Sequence, residues 1–118
     1  MMEVVATDEF GEWFALLDEG DAEAVVRVVT RLEERGVLLG HPHSSAIHGS
    51  NHPLRELRVQ AHGKPLRILY AFDPRRDAVL LIGGDKTGDG RFYERMVPIA
   101  ERIWEDYLEE SFMRGGRR

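Results

Sequence analysis

Three short segments rich in β-branched, aliphatic and aromatic residues follow one another in the second half of the chain, at residues 54–61, 66–73 and 78–84. The connections between them are the tetrapeptides HGKP and PRRD, whose glycine and prolines favour tight turns. The segments therefore predict a meander of three consecutive strands. Among the features of the sequence, this meander restricts the fold most strongly, because a sheet with an apolar face needs another layer of structure to cover that face.

The alternation of residues along the first two strands predicts how they pair. In the predicted pairing, every residue on one face is apolar or aromatic. The opposed pairs on that face are Leu57 with Tyr70, Val59 with Ile68, and Ala61 with Leu66. The other face, expected to lie away from the core, carries Glu56 and makes Arg58 and Arg67 diagonal neighbours, about 7–8 Å apart at the backbone. Two adjacent guanidinium groups repel each other unless an anion lies between them, and either Glu56 or a bound phosphate could supply that charge.

Helical periodicity precedes the meander. Residues 3–6 predict a short strand, and Thr7 is expected to cap a first helix whose apolar residues recur at helical spacing. Asp21 is expected to cap a second helix, which ends at Gly36.

A further helix follows the meander, and Pro98 either opens it or kinks a helix that begins near Asp89. The predicted order is β-α-α-β-β-β-α, an α/β fold of the α+β kind with a mainly antiparallel sheet packed on helices. We expect one domain over residues 1–110 and a flexible tail over residues 111–118.

One of the two lysines of the chain, Lys86, lies in a glycine-rich stretch between the last predicted strand and the final helix. A nucleotide-binding P-loop needs a glycine directly before its Lys-Ser/Thr pair and another five residues earlier. These positions hold Asp85 and Leu80, so we exclude ATP and GTP binding through this loop. Lys86 is then either a ligand-binding residue or an exposed turn residue paired with Asp85 or Asp89. The loop is expected to leave the sheet just beyond Ile82, and the glycines that would let the backbone turn and approach a ligand are Gly83, Gly84, Gly88 and Gly90.

The charge of the chain is unevenly distributed. The net charge is −5, yet residues 54–95 contain nine Lys and Arg residues against six Asp and Glu residues, so this segment could bind RNA phosphates. The absence of cysteine excludes disulfides and a thiol nucleophile, and the sequence has no apolar run long enough to cross a membrane. We find no secretion signal and expect a cytoplasmic protein.

Four of the five histidines lie in the loop before the meander, at His41, His43, His48 and His52. Their spacing matches no zinc signature, and neither cysteine nor a nearby carboxylate completes a ligand set. We therefore predict no metal site and interpret these histidines as polar loop residues, some of which could contact a substrate.

In this order, the segments resemble the RelE/HigB-like toxins of bacterial type II toxin–antitoxin systems, especially the phage-derived HigB-like branch. The resemblance rests on LRELR at residues 54–58, LRILYAFD at 66–73, AVLLIGGDKTGD at 78–89 and YERMVPIAER at 93–102. Each motif is short and has little specificity alone. The resemblance rests on the order and spacing of the motifs over nearly the whole chain. Two departures are the single lysine where many relatives have several bases and the net negative charge.

The resemblance implies a RelE-like fold, metal-independent cleavage of mRNA, usually on the ribosome, and neutralisation by a cognate helix-turn-helix antitoxin. No cofactor is expected. By position, Arg58 and Arg67 match arginines of the family's sheet, and Lys86 matches the basic residue after its last strand. These three residues, Tyr93 and Glu56 are the candidate catalytic residues. The candidates for substrate binding are Arg55 and Arg91.

Cleavage by the neighbouring 2′-hydroxyl needs a base, stabilisation of an anionic phosphorane and an acid for the leaving 5′-oxygen. Arg58 and Arg67 suit the phosphorane, Lys86 suits the acid or the base, and Glu56 is a rival base. Tyr93 either contacts the RNA or packs against the sheet. Two other functions stay open: a ParE-like poison of DNA gyrase that cuts nothing, and an inactive relative that only binds an antitoxin.

Overall fold

The computed structural model describes residues 2–115 and the side chains of residues 2–113. Its elements are β1 (Val4–Ala6), α1 (Asp8–Ala15), α2 (Glu19–Arg35), a 3-10 turn (Gly36–Leu38), β2 (Ser44–Ala46), β3 (Arg55–Ala61), β4 (Lys64–Phe72), β5 (Ala78–Asp85) and α3 (Phe92–Gly115). The strands form one sheet in the order β1-β5-β4-β3-β2, in which β1 runs parallel to β5 and the other pairs are antiparallel. The predicted α+β class and order are confirmed, with β2 as an additional strand.

Helices cover both faces of the sheet, so the molecule has two apolar layers. Helices α1 and α2 pack on the face that carries Leu57 and Ile68, as the alternation predicts. Helix α3 packs on the opposite face, against Leu69 and Leu81. The expectation that this second face lies away from the core is wrong, because the continuous apolar sequences of β4 and β5 supply apolar residues to both sides.

The pairing of β3 with β4 differs by two residues from the predicted one. Ala61 pairs with Lys64, so the hairpin loop is the dipeptide His62-Gly63 and not HGKP. Both loop residues have positive φ, 52° and 81°, as a two-residue hairpin turn of type I′ requires. A shift of two residues keeps every side chain on its predicted face, but it places Arg58 directly opposite Arg67.

The start of α2 also differs from the prediction. Asp18 is the cap, and its Oδ1 accepts a hydrogen bond of 2.8 Å from the backbone N–H of Asp21. Asp21 is itself buried and forms an ion pair with Lys64 and a contact with His62 of the hairpin. The predicted cap residue therefore joins α2 to the β3–β4 turn, and Lys64 holds the pKa of the Asp21 carboxyl below its usual value.

Several local predictions are confirmed. Thr7 caps α1 by accepting a hydrogen bond from the N–H of Phe10, and Gly36 ends α2 with φ of 58°. Pro98 lies inside α3, which begins at Phe92. The helix continues through residues 111–115 of the predicted tail, and residues 116–118 lie outside the described part of the chain. No helix among the described residues is long and apolar enough to span a membrane.

Candidate functional site

Glu56 is the centre of a polar cluster on the sheet face that α3 covers, next to the start of that helix. Its residue surface is only 5% exposed. Tyr93 donates a hydrogen bond of 2.5 Å to Oε1, and the Ser45 hydroxyl donates one of 3.0 Å to Oε2. The guanidinium groups of Arg58 and Arg67 lie 3.5 and 3.6 Å from the carboxylate. A buried carboxylate in contact with four donors is fixed in position and electrically balanced.

The two arginines lie on adjacent strands, directly across from each other. Like charges in this arrangement repel, and Glu56 is the anion that keeps them together, as one of the two open interpretations supposed. Arg67 is mostly buried and donates from Nη1 to the Leu66 carbonyl at 3.0 Å, whereas the side chain of Arg58 is 41% exposed. The Nε atoms of both arginines are buried without a hydrogen-bond partner among the described residues. Each guanidinium has five N–H donors, and the partly exposed group of Arg58 can offer donors to a further anion.

Lys86 and Tyr93 form the side of the site that comes from the end of β5 and the start of α3. The Lys86 Nζ lies 5.2 Å from the centroid of the Tyr93 ring, within the range of a cation–π contact. The alternative in which Lys86 pairs with Asp85 or Asp89 is wrong, because Asp85 accepts hydrogen bonds from Thr87 and Asp89 pairs with Arg95. Burial and the Glu56 carboxylate raise the pKa of the Tyr93 hydroxyl, so at neutral pH it is a hydrogen-bond donor.

These residues surround an open cleft with a volume of 520 Å³. Glu56 and Arg58 form its floor, Lys86 and Tyr93 one wall, and the loop around β2 the opposite wall. That loop contributes three polar residues that the sequence analysis did not assign to the site: His41, Ser45 and His48. The run of histidines was a signal that this loop could contact a ligand, but nothing in its spacing indicated which of them reach the cleft.

The glycines before Lys86 have a different role from the predicted one. The strand β5 continues to Asp85, so Gly83 and Gly84 lie in the sheet and not in a loop beyond Ile82. A Cβ at Gly83 would lie 2.6 Å from Cδ2 of Trp13, and one at Gly84 would lie 2.8 Å from Cε1 of Phe92. Their small size lets α1 and α3 approach the two faces of the strand. Of the four predicted turn glycines, Gly88 has a positive φ, 62°.

The two candidates for substrate binding lie outside the cleft. The Arg55 guanidinium donates hydrogen bonds to the hydroxyls of Ser44 and Tyr70, on the face covered by α1 and α2. Arg91 is exposed directly before α3, and its Nε lies 3.7 Å from Oε1 of Glu94 in the first turn of that helix. His52 pairs with Glu105 of α3 and so belongs to neither wall.

Among residues 2–115, no three histidine, aspartate or glutamate side chains come together in a group that could hold a metal ion.

The architecture defines the class of protein. A solved structure of a mutant Escherichia coli toxin RelE in the free state superposes with a TM-score of 0.57, covering 83% of this chain and 97% of that one. The two sequences are only 9% identical, so this comparison establishes the RelE-type fold alone.

The sequence comparisons identify the family. A model of the family described as phage-derived protein Gp49-like matches residues 12–105, and the chain belongs to this family. It is 38% identical to the Mycobacterium tuberculosis protein named "Putative toxin HigB3", over 91% of this chain and 94% of that protein. It is 33% identical to "Putative toxin HigB2" of the same organism, over 87% of this chain and 53% of that protein. The chain is therefore a toxin of the RelE/HigB type, which implies an antitoxin as its partner.

Proposed function

We propose that this toxin is an endoribonuclease that cleaves mRNA on the ribosome and so inhibits translation. The observation that carries the proposal is the cluster of Glu56 with Arg58 and Arg67, in which Glu56 and Arg58 line an open cleft that has Lys86 in its wall. Fixed guanidinium groups around a buried carboxylate are suited to a reaction in which negative charge develops on a phosphate.

The proposed reaction needs only the substrate's own 2′-hydroxyl as nucleophile. A base removes the proton of this hydroxyl, the 2′-oxygen attacks the adjacent phosphorus, and a five-coordinate phosphorane forms. The bond from phosphorus to the 5′-oxygen then breaks, and an acid gives this oxygen a proton. The products are a 2′,3′-cyclic phosphate and a 5′-hydroxyl, and no electron is transferred.

We assign stabilisation of the phosphorane to Arg58 and Arg67, which stay charged throughout the reaction. Glu56 and Lys86 are the two candidates for proton transfer. Glu56 accepts hydrogen bonds from Tyr93 and Ser45, and these hold its carboxylate in place. Lys86 can reach a substrate in the cleft more easily, because it belongs to the wall and not to the floor.

The first test compares Arg67→Ala with Arg75→Ala, an exposed arginine in the β4–β5 turn outside the cleft. Each purified protein is incubated with ribosomes that translate a defined mRNA, and the cleaved ends are mapped by primer extension. Arg67→Ala should lose about 10²-fold or more in cleavage rate, while Arg75→Ala should cleave like the wild type. Wild-type protein that leaves the mRNA intact but blocks supercoiling by DNA gyrase would replace the proposal with the ParE-like function.

The second test uses the fact that arginine keeps the charge of lysine but cannot give up a proton near neutral pH. If Lys86 transfers the proton, Lys86→Arg should lose most of its cleavage and keep its affinity for ribosomes. If Lys86 only attracts the phosphate, Lys86→Arg should stay active and Lys86→Ala should bind more weakly. Full activity of both variants would remove Lys86 from the mechanism and leave Glu56 as the residue to test.

We also propose that the antitoxin is a small helix-turn-helix protein. An exposed cationic cleft of this kind must be blocked while the host cell grows, and a partner that binds the toxin directly would do so. Co-expression of the toxin with the product of each neighbouring small gene, followed by affinity purification, should recover one stable complex. If neither neighbour co-purifies, the proposed kind of antitoxin is wrong.

A further inference from the structure

A second groove lies beside the cleft, between α2 and the outer edge of β3. Its volume is 430 Å³. Arg27 and Arg31 of α2 form one wall, His43 belongs to the other, and Arg58 and Arg67 lie at the end next to the cleft. Arg58 lines both hollows, so they share a border at the polar cluster.

The lining of the groove is positive although the protein has a net negative charge, since Glu56 balances only Arg58 and Arg67. Four of its ten lining residues are arginines, and none of the ten is acidic. Arg27 and Arg31 are exposed and four residues apart, so they extend from the same side of the helix. Within residues 2–115, neither side chain has a hydrogen bond or an ion pair. Surface arginines stay charged, so two of them on one side of a helix without ion-pair partners form a site that is suited to an anionic ligand.

The outer side of the groove is open. The edge strand β2 pairs with Arg55–Leu57, and the N–H of Arg58 donates to the His43 carbonyl; beyond Arg58, no strand among the described residues pairs with this edge of β3. The lining contains no Phe, Tyr or Trp on which a base could stack, whereas the cleft contains Tyr93. Such a groove can hold a charged backbone without reading its bases.

We propose that this groove binds the phosphodiester backbone of single-stranded RNA on one side of the cleaved bond, with Arg27 and Arg31 each contacting one phosphate. The identity of the ligand as RNA rests on the proposed endoribonuclease function. A strand whose scissile phosphate lies at Arg58 must leave the cleft, and the groove continues from that residue with guanidinium groups that match phosphate oxygens. The cleft then selects the position of cleavage, and the groove adds affinity that is independent of sequence.

The test compares Arg27→Ala/Arg31→Ala with Arg75→Ala/Arg102→Ala, which removes the same charge from exposed positions outside both hollows. The probes are two fluorescein-labelled 2′-O-methyl RNAs, a trinucleotide that fills only the cleft and a longer oligomer that also reaches the groove. Methylation blocks the 2′-oxygen, so binding is measured without cleavage. Fluorescence anisotropy at several salt concentrations gives the slope of log K against log[salt] for each protein.

For the longer RNA, loss of two phosphate contacts should lower the magnitude of this slope by about 1.4, at about 0.7 for each contact with a single strand. The groove variant should bind the trinucleotide like the wild type, and the control variant should keep the wild-type slope. Thermal unfolding of both variants checks that the fold is intact. The readout is independent of catalysis. If the wild type cuts no mRNA but the groove variant still shows this change in slope, the nuclease function is refuted and the RNA-binding groove is retained.

Three results would overturn the inference. The first is an unchanged slope for the groove variant, and the second is an equal change in the control variant, which would indicate a general effect of charge. The third is a groove variant that binds long RNA normally but no longer co-purifies with the antitoxin, since the groove would then bind an acidic segment of that protein.

Discussion

Gly83 is expected to be required for packing, and its replacement by alanine tests the role that the structure gives it. The added Cβ would lie 2.6 Å from Cδ2 of the Trp13 indole and closer still to two other ring atoms, well inside normal contact. The ring cannot easily move away, because Trp13 packs against Phe10 at a centroid distance of 5.8 Å and α1 is tied to β5 through Thr7. Overpacking of this kind costs about 1–3 kcal/mol, partly offset by the ~0.5–1 kcal/mol that alanine gains over glycine in a strand.

Gly83→Ala should therefore lower the free energy of unfolding by about 1–2 kcal/mol, and Tm by several degrees. Gly11→Ala is the matched control, since Gly11 is exposed in α1 and a Cβ there would have no atom within 4 Å. It should stabilise the protein by about 0.5–1 kcal/mol, because glycine is unfavourable inside a helix. Urea denaturation followed by far-UV circular dichroism measures both effects.

A double-mutant cycle identifies the cause. In a Trp13→Leu background the indole is absent, so Gly83→Ala should cost much less than in the wild type, with a coupling energy of about 1 kcal/mol or more. Gly83→Ala protein as stable as the wild type, yet without toxicity, would refute the packing argument. It would restore the first interpretation, in which this glycine lets the backbone approach a ligand.

Three other variants test the polar clusters. Tyr93→Phe removes the hydroxyl that donates to Glu56 but keeps the ring next to Lys86. The free energy of unfolding in urea should fall by about 1 kcal/mol, and the cleavage rate should fall as well. Unchanged cleavage would limit Tyr93 to packing. Glu56→Gln leaves two guanidinium groups without their anion, so the free energy of unfolding should fall by about 2–3 kcal/mol, and high salt should reduce this loss. A variant as stable as the wild type would show that the carboxylate does not balance the two arginines. Lys64→Met should be less stable than the wild type by an amount that is constant near neutral pH. The ion pair lowers the pKa of Asp21 and raises that of Lys64. The difference should therefore shrink as the pH falls below the ordinary pKa of an aspartate, through the lowered pKa of Asp21, and as the pH rises above the ordinary pKa of a lysine, through the raised pKa of Lys64. A difference in stability that does not change with pH would contradict the assigned ion pair.

The faces of the sheet could be predicted from the sequence, but the register could not. Side chains along a strand alternate with a period of two. The pattern therefore assigns Glu56 and Arg58 to one face and Leu57 to the other, but it cannot distinguish two registers that differ by two residues. The turn decides between the registers, and here it uses His62 at positive φ, a conformation that a non-glycine residue seldom adopts. No local preference of histidine indicates this turn strongly enough to override the four-residue alternative.

The strand β2 was missed because tertiary contacts, and not its own sequence, hold it in the sheet. Ser44 and Ser45 have low β propensity, but the Ser44 hydroxyl lies 2.6 Å from the buried Tyr70 hydroxyl, and the Ser45 hydroxyl donates to Glu56. The candidate site could be predicted only in part for the same reason, since some of its contacts are tertiary and leave no local sequence pattern. Alternation along one hairpin predicts that Glu56 lies with two arginines, whereas the approach of the β2 loop to this cluster depends on contacts across the whole fold.

The parallel pairing of β1 with β5 has a consequence for the order in which the fold and the cleft form while the chain is being synthesised. Val4 pairs with Ala78, and the Thr7 hydroxyl donates to the carbonyl of Leu81, 74 residues further along the chain. Strand β1 therefore stays unpaired until β5 has emerged from the ribosome. Contacts between residues so far apart in the sequence also form slowly. Tyr93 is synthesised later still, so a growing chain contains Arg58 of the cleft before it can complete the cleft. The cleft can therefore form only after the start of α3 has been synthesised, which gives an antitoxin already present in the cell the opportunity to bind the toxin as the cleft forms.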